Sequence, residues 1–215
     1  TMSLHAQIAQ YDTQKAINMP KDVFDLMAKA TDALVATGIA NDALTVGDYA
    51  PDFSLPNVTG ELITLAEMLA HGPVVLSFYR GGWCPYCNFE LRAFQNVLPE
   101  IQQLGAQLVA ISPQTPDNSL TTKEKNALDY AVLADVGNKV TNDYGLVFSL
   151  DERLRPVYEK FGLDIPATNG DDTFTLPMPA TYIIGQDGKI AYAFVAEDYT
   201  QRAEPNDVID ILAQL

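Results

Sequence analysis

Cysteine and histidine are nearly absent from this chain of 215 residues, which contains two of each. A closed zinc site needs four nitrogen or sulfur ligands, and His5 and His71 do not stand at a metal-binding spacing from the cysteines. Glycine-rich motifs for dinucleotides or phosphates are also missing. We therefore expect no metal and no cofactor.

Basic residues are scarce as well, with 13 Lys and Arg against 28 Asp and Glu and a formal charge of −15. This imbalance excludes nucleic acids and anionic membrane surfaces as partners, because both require basic patches. No apolar run is long enough to cross a bilayer, and residues 1–20 are too polar for a signal peptide. We expect a cytoplasmic protein.

The only two cysteines form the sequence Trp83-Cys84-Pro85-Tyr86-Cys87. A disulfide across so short a loop would add little stability, and a close cysteine pair in a reducing compartment indicates catalysis or metal binding. The cysteine pair follows the apolar run 73–79, which is typical of a buried strand. The same pair stands at the start of a predicted amphipathic helix. A helix N-terminus lowers the pKa of a thiol, and the spacing lets one thiol resolve a mixed disulfide on the other. The motif predicts a redox site.

The pattern of apolar runs predicts an α/β protein with a thioredoxin-like three-layer fold, in which helices flank a central mixed sheet. A helix should follow the cysteines, and Pro205 should open the last helix. Residues 135–180 look irregular apart from a helix near 151–161. The remaining predicted elements are strands 73–79, 107–112, 131–134, 181–185 and 189–195 and a helix over 117–129. Residues 1–43 are expected to form an N-terminal helical extension and residues 44–215 the redox domain.

Residues 78–91, Phe-Tyr-Arg-Gly-Gly-Trp-Cys-Pro-Tyr-Cys-Asn-Phe-Glu-Leu, resemble the peroxiredoxin-like branch of the alkyl hydroperoxide reductase/thiol-specific antioxidant group. Residues 46–55 are similar to the entry hairpin of that group and residues 179–189 to its late hairpin. The resemblance covers about residues 44–215. It implies an oxidoreductase that acts on disulfides or hydroperoxides and is recycled by a thioredoxin- or glutaredoxin-type reductant.

The sequence departs from peroxiredoxins at the residues that handle the peroxide. That family carries Pro-x-x-x-Thr-x-x-Cys, with Glu three residues after the peroxidatic cysteine. By resemblance Cys87 occupies the peroxidatic position and Glu90 follows it, but the threonine position is Cys84 and the proline position is Arg80. The family arginine before the late strand falls at Pro179.

Thioredoxins offer a second resemblance, since Trp83 and Pro179 match their active-site tryptophan and cis-proline. Their buried aspartate corresponds to Phe78, so we expect Glu90 or water to accept the proton of the second thiol.

Four side chains near the motif have structural as well as functional interpretations. Trp83 either packs beside the active loop or contacts substrate, and Arg80 either lowers a thiol pKa or is a surface arginine at a strand end. Glu90 is interpreted as an ordinary early-helix acid. Arg202 could fold back toward the cysteines, but it is interpreted as a solvated loop arginine.

Three functions remain open. The preferred one is thiol–disulfide exchange, in which Cys84 attacks and Cys87 resolves. The second, close behind, is a thiol peroxidase in which Cys87 or Cys84 becomes a sulfenic acid that the other cysteine converts to a disulfide. The third is a redox-sensing adaptor without turnover. The apolar stripes of residues 1–40 must be buried against the core or against a second chain, and a homodimer is our expectation.

Overall fold

The computed structural model describes residues 2–215. Its strands in chain order are β1 (Ser54–Pro56), β2 (Leu62–Thr64), β3 (Val74–Phe78), β4 (Gln107–Ser112), β5 (Ala131–Ala134), β6 (Val147–Ser149), β7 (Thr175–Pro177), β8 (Ala180–Ile184) and β9 (Ile190–Val195). Its α-helices are α1 (Leu4–Asn18), α2 (Lys21–Thr37), α3 (Leu65–Leu69), α4 (Pro85–Gln103), α5 (Pro116–Lys125), α6 (Lys139–Asp143), α7 (Arg155–Lys160), α8 (Ile165–Asn169) and α9 (Pro205–Leu212). Short 3₁₀ helices span Ile39–Asp42 and Glu152–Leu154.

A five-stranded sheet in the order β5-β4-β3-β8-β9 forms the centre of the molecule. Strands β3, β4 and β5 run parallel, whereas β8 is antiparallel to both β3 and β9. All five residues of β3 are buried, as expected for a strand covered on both faces. The mixed sheet confirms the predicted fold class.

Successive residues of β3 enter two separate hydrophobic cores. Val75 packs with α4 and α9 on one face, and Val74 and Leu76 pack with α3 and α6 on the other. This alternation follows from the two-residue period of a strand, and it produces the predicted three layers.

The N-terminal segment forms α1 and α2 and packs against the rest of the chain. Leu4 and Ile8 of α1 are buried in the core formed with α4. Ala30 of α2 is buried beside Leu150 and Tyr158. The apolar stripe of α1 is thus covered within the chain, whereas that of α2 is covered only in part.

One predicted helix boundary was wrong, and one segment that was predicted to be irregular contains regular elements. The helix predicted over 117–129 ends at Lys125, because Ala127 has a φ of 51° that no right-handed helix continues through. Residues 135–180 are more regular than expected and contain α6, α7, α8 and the hairpin of β6 and β7. Strands of three residues are too short to show a period in sequence.

None of the helices described between residues 2 and 215 combines the length and apolar character that crossing a membrane requires.

Candidate active site

The cysteine pair lies at the N-terminus of α4, which confirms the predicted placement. Cys84 is the N-cap residue, Pro85 takes the first helical position, and Cys87 lies in the first turn. Proline favours this position because its missing N–H would have no helical partner there. Both thiols are free and buried, with 1% and 0% of their surfaces exposed.

Two glycines let the loop before the cysteines pack tightly. A Cβ atom on Gly82 would lie 2.3 Å from Oγ1 of Thr122, and one on Gly81 would lie 2.2 Å from Nε1 of Trp83. A larger residue at either position would therefore displace the loop that presents Cys84.

Two buried arginines face the sulfur atoms. Nη2 of Arg202 lies 3.2 Å from Sγ of Cys87 and 4.0 Å from Sγ of Cys84. Nη1 of Arg80 lies 3.9 Å from Sγ of Cys84, and its backbone N–H donates to Sγ of Cys87 at 3.4 Å. Only 2% of Arg202 is exposed, so its interpretation as a solvated loop arginine was wrong. The loop before α9 folds back over the site, which is the alternative that the sequence analysis had set aside for this arginine.

The charges around the thiols set their ionisation. Burial alone would raise the pKa of Cys84, but its hydrogen bond with Cys87 and the charges of Arg80 and Arg202 outweigh burial and hold that pKa well below its ordinary value. Burial and the hydrogen bond to Cys84 raise the pKa of Cys87 well above its ordinary value. The two shifts run in opposite directions and favour the negative charge on Cys84 over Cys87.

The interpretation of Glu90 as an ordinary acid of an early helical turn was wrong. Glu90 is buried, with Oε1 3.6 Å from Nη1 of Arg202 and 3.4 Å from Oγ of Ser77. Burial raises its pKa to about 7, although the charge of Arg202 opposes this shift. Glu90 is therefore a group that can hold a proton near the thiols at neutral pH.

Arg80 is enclosed and does not lie on the surface at the end of a strand. Nη2 donates to the hydroxyl of Tyr158 at 2.9 Å, and Cζ lies 5.0 Å from the ring centroid of Trp83 and 4.3 Å from that of Tyr199. Cation–π contacts of this kind hold a guanidinium in place when it is desolvated. Trp83 also packs on Tyr158, with ring centroids 5.6 Å apart.

Tyr199 is a site residue that the sequence analysis missed. Its ring contacts Arg80, and its carbonyl accepts a hydrogen bond from Nε of Arg202 at 2.7 Å. One residue thus positions both guanidinium groups. It lies in the loop after β9, where only its proximity in sequence to Arg202 offered a signal.

Helix α1 also reaches the motif, which the sequence did not reveal. The hydroxyl of Tyr86, between the two cysteines, donates to Asp12. Nζ of Lys15 donates to the hydroxyl of Tyr86 at 3.3 Å, and the ring of Tyr11 packs edge-on against that of Tyr86. The extension therefore supports the active-site helix directly.

Pro179 is buried immediately before β8, whose first residue, Ala180, pairs with Phe78 at the end of β3. Between residues 2 and 215 every peptide bond is trans. Pro179 therefore lacks the cis bond of the thioredoxin proline that it matches in sequence.

Comparisons with known proteins identify the family. A sequence model of the AhpC/TSA family matches residues 46–193. The chain is 25% identical over 178 residues to a chloroplastic peroxiredoxin Q of Triticum aestivum, covering 83% of this chain and 71% of that protein. It is 32% identical over 114 residues to a putative peroxiredoxin of Mycobacterium tuberculosis, covering 53% of this chain and 74% of that protein.

Solved structures show the same fold. The crystal structure of peroxidoxin BcpB from Mycobacterium tuberculosis superposes with a TM-score of 0.63 at 23% identity, covering 80% of this chain and 98% of that one. Peroxiredoxin 6 of Arenicola marina gives a TM-score of 0.61 at 19% identity over 79% of this chain and 72% of that one. The chain belongs to the AhpC/TSA family and is an oxidoreductase.

Proposed function

We propose that this protein is a thiol peroxidase that reduces hydroperoxides with Cys84 and Cys87. The observation that carries the proposal is the pair of buried arginines, Arg80 and Arg202, within 4.0 Å of the sulfur atoms. The sequence had favoured disulfide exchange because the peroxiredoxin threonine and arginine are missing. The two guanidinium groups supply positive charge at the thiols from other positions in the chain, and the peroxiredoxin relatives support the same conclusion.

The reaction begins with the Cys84 thiolate, whose pKa is held low by its surroundings. Its sulfur attacks the distal oxygen of the hydroperoxide, the O–O bond breaks, and the departing alkoxide or hydroxide takes up a proton. Cys84 becomes a sulfenic acid. Arg80 and Arg202 stabilise the charge that develops on the peroxide oxygens, which is the effect expected of preorganised donors in a buried site.

Cys87 then attacks the sulfur of the sulfenic acid, and water leaves as the disulfide forms. Glu90 is placed to assist, since Arg202 joins it to Cys87 and its pKa of about 7 allows it to accept the proton of the second thiol. A dithiol reductant of thioredoxin or glutaredoxin type reduces the disulfide and restores the pair.

Rapid mixing of the reduced protein with hydrogen peroxide, and separately with a model protein disulfide, tests this function. We expect fast consumption of peroxide with formation of the Cys84–Cys87 disulfide. Brisk disulfide reduction without peroxide consumption would instead establish thiol–disulfide exchange, the second candidate, which the low pKa of Cys84 also permits. Absence of both reactions would leave the redox-sensing adaptor.

Single-cysteine variants identify the attacking residue. In Cys87→Ser we expect a sulfenic acid on Cys84 that dimedone captures at a rate comparable to peroxide loss. Cys84→Ser should react with peroxide more slowly, because burial, the largest cause of the raised pKa of Cys87, persists when the hydrogen bond and the charge of Cys84 are removed. Equal trapping at Cys87 would reverse the assignment and place the attacking thiolate at the position implied by the family resemblance.

We further propose that residues 1–43 are an extension attached to a redox domain at 44–215. The homodimer and the cytoplasmic localisation stay predictions. Sedimentation of the purified chain tests the homodimer.

A further inference from the structure

A cavity of about 230 Å³ lies between the N-terminal extension and the active site. Met27, Ala30 and Leu34 of α2 form one wall, and Leu150 and Leu154 form part of the opposite wall. At about 30 Å³ per water molecule, this space equals roughly eight waters and suits a compact organic group.

Arg80 supplies a polar end to this apolar space. It lines the cavity and is 3% exposed, and its Nε has no hydrogen-bond partner within the described residues. Its Nη1 lies 3.9 Å from Sγ of Cys84. Cys84 does not line the cavity, and the guanidinium of Arg80 therefore joins this end of the cavity to the reactive sulfur.

The carboxylates that line the cavity already have partners, which disfavours a cationic ligand. Glu197 accepts the backbone N–H of Ala40 at 3.0 Å, and Asp151 pairs with Arg153 at 2.7 Å. The cavity thus presents mainly apolar walls, two carboxylates that already have partners and one buried guanidinium that lacks a full set of acceptors.

We propose that this cavity binds the apolar group of a compact organic hydroperoxide and that α2 determines how large that group can be. The inference rests on the proposed peroxidase function and assigns its substrate specificity to the extension. Helix α2 spans Lys21–Thr37, whereas the match to the family begins at residue 46. This wall of the cavity is therefore a feature of this chain outside the region shared with the family.

The size of the cavity determines for which hydroperoxides it raises kcat/KM. A branched or aromatic group of the size of cumene fits the volume, and a long acyl chain exceeds it. One methylene in an apolar pocket changes kcat/KM by about tenfold or more. We therefore expect kcat/KM for cumene hydroperoxide to exceed that for hydrogen peroxide by at least about tenfold.

Paired variants on α2 test the role of the extension. Ala30→Phe fills the cavity and should lower the ratio of kcat/KM for cumene hydroperoxide to that for hydrogen peroxide by about tenfold. Ala36→Phe, the same change at an exposed position of the same helix, should leave the ratio unchanged. Leu34→Ala enlarges the cavity and should shift the preference toward bulkier hydroperoxides, which keeps the test decisive if Ala30→Phe folds poorly.

Direct binding separates this inference from the peroxidase function. We would titrate 2-phenyl-2-propanol, the alcohol product of cumene hydroperoxide, into the Cys84→Ser/Cys87→Ser protein and follow the methyl NMR signals of Met27 and Leu34. Saturable shifts that Ala30→Phe abolishes support the cavity, even if the protein reduces no hydroperoxide. Peroxidase activity with an unchanged substrate ratio in the α2 variants, and no saturable shifts, would overturn the cavity and leave the peroxidase intact.

Discussion

Lys15 donates a hydrogen bond to the hydroxyl of Tyr199 at 3.1 Å, across 184 residues of sequence. Tyr199 in turn holds Arg80 against its ring and Arg202 on its carbonyl. The first helix of the extension is therefore connected to both cationic groups of the active site through one tyrosine.

Replacing Lys15 with Met should raise the pKa of Cys84. Burial lowers the pKa of Lys15 itself, and the thiolate of Cys84 is among the negative charges that oppose this shift, so the lysine charge must reciprocally favour that thiolate. We expect an upward change of less than about one pH unit, since larger shifts need a charge within about 4–6 Å. The pH dependence of iodoacetamide labelling measures it.

Two further variants determine whether net charge or the position of Lys15 beside Tyr199 is responsible for the change in the pKa of Cys84. Lys29→Met removes an exposed charge from α2 and should leave the labelling profile in place. Tyr199→Phe keeps the ring against Arg80 but deletes the hydroxyl that Lys15 contacts. A shift in Lys29→Met as large as in Lys15→Met would show that net charge alone is acting.

Arg202→Met should damage both stability and reaction rate. It leaves Glu90 buried without its cation, which typically costs about 3–5 kcal/mol, and it removes a donor whose loss lowers rates by about 10²–10³. The double variant Arg202→Met/Glu90→Gln should recover much of the stability in urea unfolding but none of the peroxide rate. Recovery of both properties would mean that Arg202 serves only the fold.

Arg80→Met should slow peroxide reduction by about two orders of magnitude and disulfide exchange much less, because the helix N-terminus still supports the attacking thiolate. Tyr158→Phe is the matched control, since it removes the hydrogen bond from Nη2 but keeps the charge near Cys84. Equal losses in both reactions of Arg80→Met would indicate that this residue acts through the thiol pKa alone.

Glu90 should make the unfolding free energy fall as the pH rises from its ordinary pKa of 4.5 to about 7. In this window the folded protein keeps the proton that the unfolded chain has released, so the folded state binds more protons and loses stability with increasing pH. The stability of Glu90→Gln relative to the natural protein should therefore rise by up to about 3 kcal/mol across this window. Urea unfolding of both proteins at several pH values measures the difference.

The central sheet and the cysteine motif could be predicted from sequence because each is encoded locally. The buried strand β3 is a continuous apolar run, and Pro85 with the two glycines before the motif indicates where α4 begins. The extension was also visible, since α2 is amphipathic and ends at Gly38 in the left-handed conformation that glycine favours.

The burial of the charged groups and their mutual contacts could not be predicted, because long-range folding brings these groups together. Arg202 and Tyr199 come from a loop more than a hundred residues after the cysteines, and Lys15 comes from a helix outside the recognisable domain. A single arginine in a polar loop gives no sign of burial. The ion pair of Arg202 with Glu90 depends on the packing of β9 and α9 beside α4.

The burial of Arg80, Arg202 and Glu90 around one thiolate bears on the redox potential of the site. In the reduced protein two positive charges face two negative charges when Glu90 and Cys84 are ionised. Disulfide formation removes the thiolate and leaves an uncompensated cation in a desolvated region, which is unfavourable. The oxidised state is thereby raised in free energy, and each 1.4 kcal/mol of this difference corresponds to about 30 mV for a two-electron couple. The charge imbalance therefore favours reduction of the disulfide.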